Sequence, residues 1–361
     1  MSGEGCFCYV VMCHTDPAGI ARTLRSIRRL SPGADIVVRH SVPGLVTPEL
    51  LDEVGATALR SEIQIVWGDW TMTRAALEAL ERARGVSDAD HVVLVSGQDH
   101  PIRDLAAWEE QVRADGGDAM LDVFPPMTDD WHYRWWLLDP PHVGPVLARR
   151  GLKWGWRHVA PSLRSALMLY QGRRDPRWIL GIRRPGPARR EPPVAVLKAS
   201  LWMTLSARAV DSVLARHRAG GPVLRFFERV RIPDESYLQS LLLADPQLRI
   251  IDCPTAYAYF PYDHWSPAWV DAEQLARAAR TPAAFARKVP EDVTPELVAA
   301  MEALTRRPAA EVPPVRDAEV GEAKLTGAEL RPGEPPVATG LPPRVGPGAA
   351  LGGGRPVLAR R

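Results

Sequence analysis

Two short stretches hold the residue types that could do chemistry together. Ile232 to Ser240 reads IPDESYLQS and Phe285 to Val289 reads FARKV. The first offers Glu235 behind Pro233 and Asp234. Proline suits the first position of a helix and a carboxylate is favoured in its first turn, so Glu235 is expected to project from a helix N-terminus. A carboxylate held there can take a proton from an attacking hydroxyl. The second offers two adjacent cations, Arg287 and Lys288, on an expected loop after a short helical turn opened by Thr281 and Pro282. Adjacent cations can neutralise a departing diphosphate, a task often given to a divalent metal on an aspartate pair. No Asp-x-Asp follows the buried run at 91–95, which ends in SGQD with Asp99 alone. Asp88 and Asp90 do form such a pair, but they precede that run, at the wrong edge of a sheet, and read as turn residues.

These residues need a scaffold, and the front third of the chain describes one. FCYVVMCH (Phe7 to His14) is an apolar run, followed by a segment that Thr15 or Asp16 can cap, with Pro17 in its first turn. Ile20, Leu24, Ile27 and Leu30 then recur at helical spacing. ADIVVRH (Ala34 to His40) and EIQIVWG (Glu62 to Gly68) read as a second and a third strand, and Thr73 to Arg84 as an amphipathic helix. Asp90 to Ile102 gives a buried strand stopping at Gly97, and ASLWMTLSARAVDSVLARH returns to a strand followed by a helix. Alternation of this kind predicts an α/β fold with an open, mostly parallel twisted sheet flanked by helices. Ligands bind at the carboxyl ends of such strands, where Gln98, Asp99 and His100 fall.

Composition narrows the classes. The 361 residues are 46% hydrophobic, enough for a sizeable core. Forty-five Lys and Arg against 43 Asp and Glu leave a net charge of +2, which argues against a nucleic-acid partner. Cys6, Cys8, Cys13 and Cys253 lack metal-ligand spacing and read as free thiols. No basic leader and no apolar run of membrane-spanning length is present, so a cytoplasmic protein without a membrane span is expected. Half of the twelve Trp residues (Trp131, Trp135, Trp136, Trp154, Trp156, Trp178) lie in a region interleaved with Arg134, Arg157, Arg173, Arg174 and Arg177, a composition suited to carbohydrate contact or to core packing. A basic, Pro-rich loop is expected at about 171–195. No aromatic residue follows Phe285, so the expected division is one domain over 1–305 and a disordered Pro/Gly-rich tail over 306–361.

Five blocks, IVWGDWTMTRAALEALERA, VVLVSGQDHPIRD, LKASLWMTLSARAV, IPDESYLQSLL and FARKV, follow one another in order and spacing. Together they resemble the core-2/I-branching glycosyltransferase family over roughly residues 8–289. That family comprises inverting, metal-independent β-glycosyltransferases of the GT-A type, including mucin-branching N-acetylglucosaminyltransferases and peptide xylosyltransferases. The resemblance implies Glu235 as catalytic base and Lys288, with Arg287, holding the UDP diphosphate in place of a metal. It implies a donor pocket drawn from Trp67, Gly68, Ser96, Gly97 and Asp99, with His14 and His40 beside it. Acceptor contacts are expected from Trp202, Asp234, Tyr257, Tyr259, Tyr133 and Arg134.

Three departures stand out. His40-Ser41-Val42 replaces the family's His-x-Asp, so this stretch carries no uridine signature. Ala199 replaces the glycine before the Ser-x-Trp block, and where a second cation is expected, some twenty residues before Lys288, the chain offers His264 beside Asp263. The expectation is a UDP-sugar donor, no cofactor, no metal, and a glycan, protein or small-molecule acceptor. The competing expectation is a catalytically silent glycan- or nucleotide-sugar-binding protein on the same fold.

Overall fold

The computed structural model describes residues 6–124, 135–138, 158, 160, 167–171, 178–183, 192–261 and 266–308. Strands β1 (Phe7–Cys13), β2 (Asp35–His40), β3 (Ala56–Arg60) and β4 (His91–Ser96) run parallel, in the order β4-β1-β2-β3. Beyond β4 lie β10 (Thr204–Ser206), β6 (Ala119–Leu121) and β11 (Ile250–Asp252). Only β10 is antiparallel to its neighbours in this seven-stranded sheet. Two small sheets join β12 (Ala256–Ala258), β13 (Phe285–Arg287) and β5 (His100–Pro101), and β7 (Trp135–Leu138), β9 (Trp178–Arg183) and β8 (Leu167–Gln171). The mixed α/β class with a mostly parallel sheet is the one expected.

The period-2 alternation of β1 divides the core. Cys8, Val10 and Met12 face one layer, packed with helix α3 (Trp70–Val86), while Phe7, Tyr9, Val11 and Cys13 face the other, packed with α1 (Pro17–Leu30) and α4 (Leu105–Asp115). Asp16 caps α1 by accepting from the Gly19 amide at 2.9 Å. Asp69 caps α3 by accepting from Thr71 N at 2.7 Å. Helix α5 (Ala207–Ala219) follows β10 directly, as its sequence suggests.

Three sequence expectations are corrected. The third strand is Ala56–Arg60, after helix α2 (Pro48–Val54) and the left-handed Gly55 (φ 60°), and not the run from Glu62 to Gly68. That run is extended but held by side chains: buried Arg39 donates from Nη2 to Ser61 Oγ and to the Ile63 carbonyl, each at 2.7 Å, and Val66 N donates to Thr71 Oγ1 at 2.8 Å. Second, Arg287 ends strand β13 instead of sitting on a loop, and the turn before it at Thr281 and Pro282 is not helical. Third, β9 falls inside the expected Pro-rich loop, pairing with both β7 and β8. Residues 309–361 of the expected tail lie outside the described residues. Asp88 and Asp90 precede β4, where the Asp90 amide donates to Cys6 O at the amino end of β1. All four cysteines are free. Among the described residues no helix is long and apolar enough to cross a membrane.

Candidate functional site

The carboxyl ends of β1, β2 and β4 open into one cavity of about 360 Å³, as open α/β sheets favour. Met12, Cys13 and His14 come from the end of β1, Ser41 and Val42 from β2, and Ser96 and Gln98 from β4. Because β10 runs the other way, the chain entering it, Ser200 to Trp202, reaches the same side, beside Asp122 and Phe124 after β6. Asp234 and Glu235 line this cavity, and so do Arg287 and Lys288.

Glu235 closes a single 3-10 turn, Pro233–Glu235, two residues ahead of helix α7 (Tyr237–Leu243), and α6 (Pro222–Phe227) precedes the turn. It is therefore not in an α-helical first turn, as the sequence suggested. The entry is strained: Ile232 is β-branched, precedes proline and sits in the left-handed region at φ 52°, ψ 54°. Such a conformation costs about 1–3 kcal/mol and persists only where the surroundings hold it. They do so here: Ile232 is buried and its amide donates to Gly68 O at 2.9 Å, while Gly68 itself needs its positive φ of 78°. From the other side, Ala199 N donates to Glu235 O at 3.0 Å. The Gln239 amide nitrogen donates to the carbonyls of Ala199 and Ser200 at 3.2 Å and of Asp234 at 2.9 Å.

The electrostatics of this wall are a contest. Burial raises the pKa of Glu235, and Lys198, with Nζ 3.4 Å from Oε2, opposes it. Asp234 is pushed up to about 7, by burial first and then by Glu235 beside it. Its Oδ1 has no hydrogen-bond partner among the described residues.

A second wall of the cavity is cationic. Arg287 is buried, its guanidinium 4.3 Å above the Trp202 ring and its Nε 3.6 Å from Asp99 Oδ1. Nε and Nη1 have no hydrogen-bond partner among the described residues. Lys288 Nζ donates to Ser266 Oγ at 3.0 Å, and Val289 N ties the end of this segment to Gln98 O at 2.8 Å. Burial lowers the pKa of Arg287, and that of Lys288, which Arg287 lowers further. The pKa of His14, at the end of β1, is lowered by partial burial of its ring and then by Lys288 and Arg287. Two adjacent cations on one cavity wall suit an anion, and His14, whose protonation they oppose, is not a third.

Of the residues singled out in the sequence, His14, Trp67, Gly68, Ser96, Trp202, Asp234, Glu235, Arg287 and Lys288 line the cavity. Trp67 is largely exposed and carries the Arg231 guanidinium 4.9 Å over its ring. Others do not line it. Asp99 is fully buried beneath the site, accepting from Ser96 N at 2.8 Å and facing Arg287. Gly97 is a packing glycine: a Cβ there would meet Ile20 at 2.9 Å and Cys13 Sγ at 3.1 Å. The His40 ring turns to the Val42 carbonyl at 3.0 Å while its neighbours Ser41 and Val42 face the cavity. Tyr257 donates its hydroxyl to Gln274 Oε1 at 3.0 Å, and Tyr259 lies under Arg277 at 5.2 Å. Ala258 and Phe260 line the cavity in their place, the other parity of the same extended segment. Tyr133, Arg134, Asp263 and His264 lie outside the described residues. Lys198, Gln64 and Asp122 were not singled out in the sequence. A lone lysine inside the apolar run from Val194 to Leu201 was the available signal for Lys198. Among the described residues no three His, Cys, Asp or Glu side chains converge as a metal site would require.

Fold and cavity thus define an α/β protein with an anion-suited crevice at the carboxyl edge of its sheet. No protein-family model matches the sequence, nor does any curated protein. Among solved structures, mouse xyloside xylosyltransferase 1 in its apo form is similar at 10% identity over 72% of this chain and 90% of that one, with a TM-score of 0.32. A protein assigned as a glucose-1-phosphate thymidylyltransferase from Bacillus anthracis, in complex with sucrose, is similar at 10% identity over 39% of this chain, with a TM-score of 0.22. The chain spans 62% of that protein's length. Mannose-6-phosphate isomerase from Helicobacter pylori is similar at 10% identity over 58% of this chain and 76% of that one, with a TM-score of 0.23. At such scores the site stands on its own geometry.

Proposed function

We propose that this chain is an inverting, metal-independent glycosyltransferase that moves a sugar from a UDP-sugar, of the N-acetylglucosamine or xylose type, to an acceptor hydroxyl. The observation that carries this reading is that Glu235 and the Arg287/Lys288 pair, 52 residues apart in sequence, line one cavity. The acceptor oxygen attacks the anomeric carbon as its proton passes to a Glu235 carboxylate oxygen. The bond from that carbon to the diphosphate oxygen breaks, its electron pair stays with the leaving group, and Arg287 and Lys288 stabilise the charge. One displacement inverts the anomeric centre and leaves a β-glycosidic bond. In this reading His14 and Ser41, at the ends of β1 and β2, and Gln64, after β3, would face the nucleoside.

A panel of UDP-sugars, each read by release of UDP, tests the proposal. Turnover is expected with one of them in excess EDTA. Glu235→Gln is expected to lower it by about 10²–10⁴-fold, with the melting temperature and UDP affinity unchanged. Near-normal turnover by that variant, or activity lost to EDTA and restored by Mn²⁺, refutes it. The silent-binder reading predicts UDP-sugar binding with neither transfer nor slow donor hydrolysis.

A further inference from the structure

The acidic wall contains a buried cation that the transfer step does not use. Lys198 sits on the chain segment leading into β10, is 6% exposed, and places Nζ 3.4 Å from Glu235 Oε2. The two segments are stitched together, so this approach is fixed by the backbone. Leu197 N donates to Ser240 Oγ at 3.2 Å, Ala199 N to Glu235 O at 3.0 Å, and the Gln239 side chain holds carbonyls on both strands of chain. Burying an ammonium is costly unless a partner repays it, and an anion is what stands opposite.

We propose that Lys198 is a positioning residue that keeps Glu235 ionised and aimed into the cavity, so that base function near neutral pH depends on it. The proposal rests on the reading of Glu235 as the base. Without the ammonium, Glu235 and Asp234 are adjacent carboxyls in a desolvated wall, and two such groups hold a proton between them. The groups facing Glu235 divide in sign. The acidic groups around it are Asp234 on its own turn, Asp69 at the cap of α3, which acts on Asp234, and Asp122 at the end of β6. Arg231 beside Trp67, with Arg287 and Lys288 lining the same cavity, are the cations around it. Lys198 is the cation in direct contact. Burial still raises the Glu235 pKa despite the lysine. That direction suits a base: a carboxylate more basic than usual.

The test needs no donor or acceptor. The full chain is labelled with ¹³C at the glutamate carboxyl carbons, and the Glu235 resonance is assigned by its loss in Glu235→Gln and titrated by NMR. In Lys198→Met the midpoint is expected to move to higher pH, and in Lys198→Arg to return toward that of the native chain. Should Lys198→Met fail to fold, Lys198→Gln reads the same shift. A midpoint unmoved in the neutral variants overturns the proposal. Where transfer is measured, Lys198→Met is expected to lose rate at neutral pH and regain it as pH rises, which a merely structural defect would not do. If the midpoint moves while no UDP-sugar is turned over, the transfer reading fails and the role of Lys198 stands.

Discussion

The two walls of the cavity are built on opposite plans. The Arg287 wall is a strand end locked by packing, with the guanidinium over Trp202 and Asp99 buried behind it. The Glu235 wall is a single turn entered through a left-handed Ile232 and held by side-chain and main-chain hydrogen bonds, its charge balanced between Asp234 and Lys198. A clamp that keeps its own charge while the diphosphate gains one can be rigid. A base must change charge during its work, so its surroundings have to tolerate both states. The first wall therefore spends stability on fixed geometry, the second on a poised proton equilibrium.

The sharpest way to break this contrast is to remove the guanidinium. Arg287→Ala leaves Asp99 buried without its ion-pair partner, and a loss of about 3 kcal/mol in denaturant unfolding is expected, together with loss of UDP binding by calorimetry. Adding Asp99→Asn is expected to restore much of the stability and none of the binding. An Arg287→Ala protein as stable as the native chain would mean that this wall is not locked in the way described.

The poised wall is probed by pH. Native Asp234 keeps its proton up to about 7, whereas an unfolded aspartate releases it near 3.9. Between those values the folded state binds more protons, so stability falls as pH rises through that window. Asp234→Asn removes this slope. Relative to the native chain it is expected to gain on the order of a few kcal/mol between pH 4 and pH 7, read from unfolding midpoints. Parallel pH profiles for the two proteins would contradict it.

The smallest effect lies outside both walls. Tyr257→Phe removes a hydroxyl bonded to Gln274, away from the cavity. It is expected to cost about 1 kcal/mol of stability and to leave UDP-sugar turnover unchanged. A selective loss of turnover would place that ring with the acceptor and move the boundary of the site.

Much of the scaffold was legible because its signals are local. The runs at Phe7–Cys13 and His91–Ser96 are buried on both faces and read as continuous apolar stretches, α1 shows its cap and period, and α3 its period, though not its start at Trp70. Strand β3 was not legible: ATALR is short, half-exposed and poor in β-branched residues, being the edge of the sheet. Ile63 and Ile65 alternate like a strand, but the partners that hold their segment are the side chains of Thr71 and of Arg39, the latter 24 residues away from Ile63. Tyr257 and Tyr259 against Ala258 and Phe260 is a difference of one residue in parity. It was settled by how β12 pairs with β13.

By itself the sequence determined which segments become strands and helices at the centre of the sheet, since apolar period, caps and turn residues act within a few residues of one another. It also supplied Glu235, Arg287 and Lys288 as groups with the chemistry to act. That they share one cavity, that Asp99 turns beneath it, and that Lys198 lies against Glu235 were decided by the tertiary structure alone. Those relations join segments far apart in the chain, and the free energy that brings them together comes from burying both faces of the sheet, a property of no single stretch.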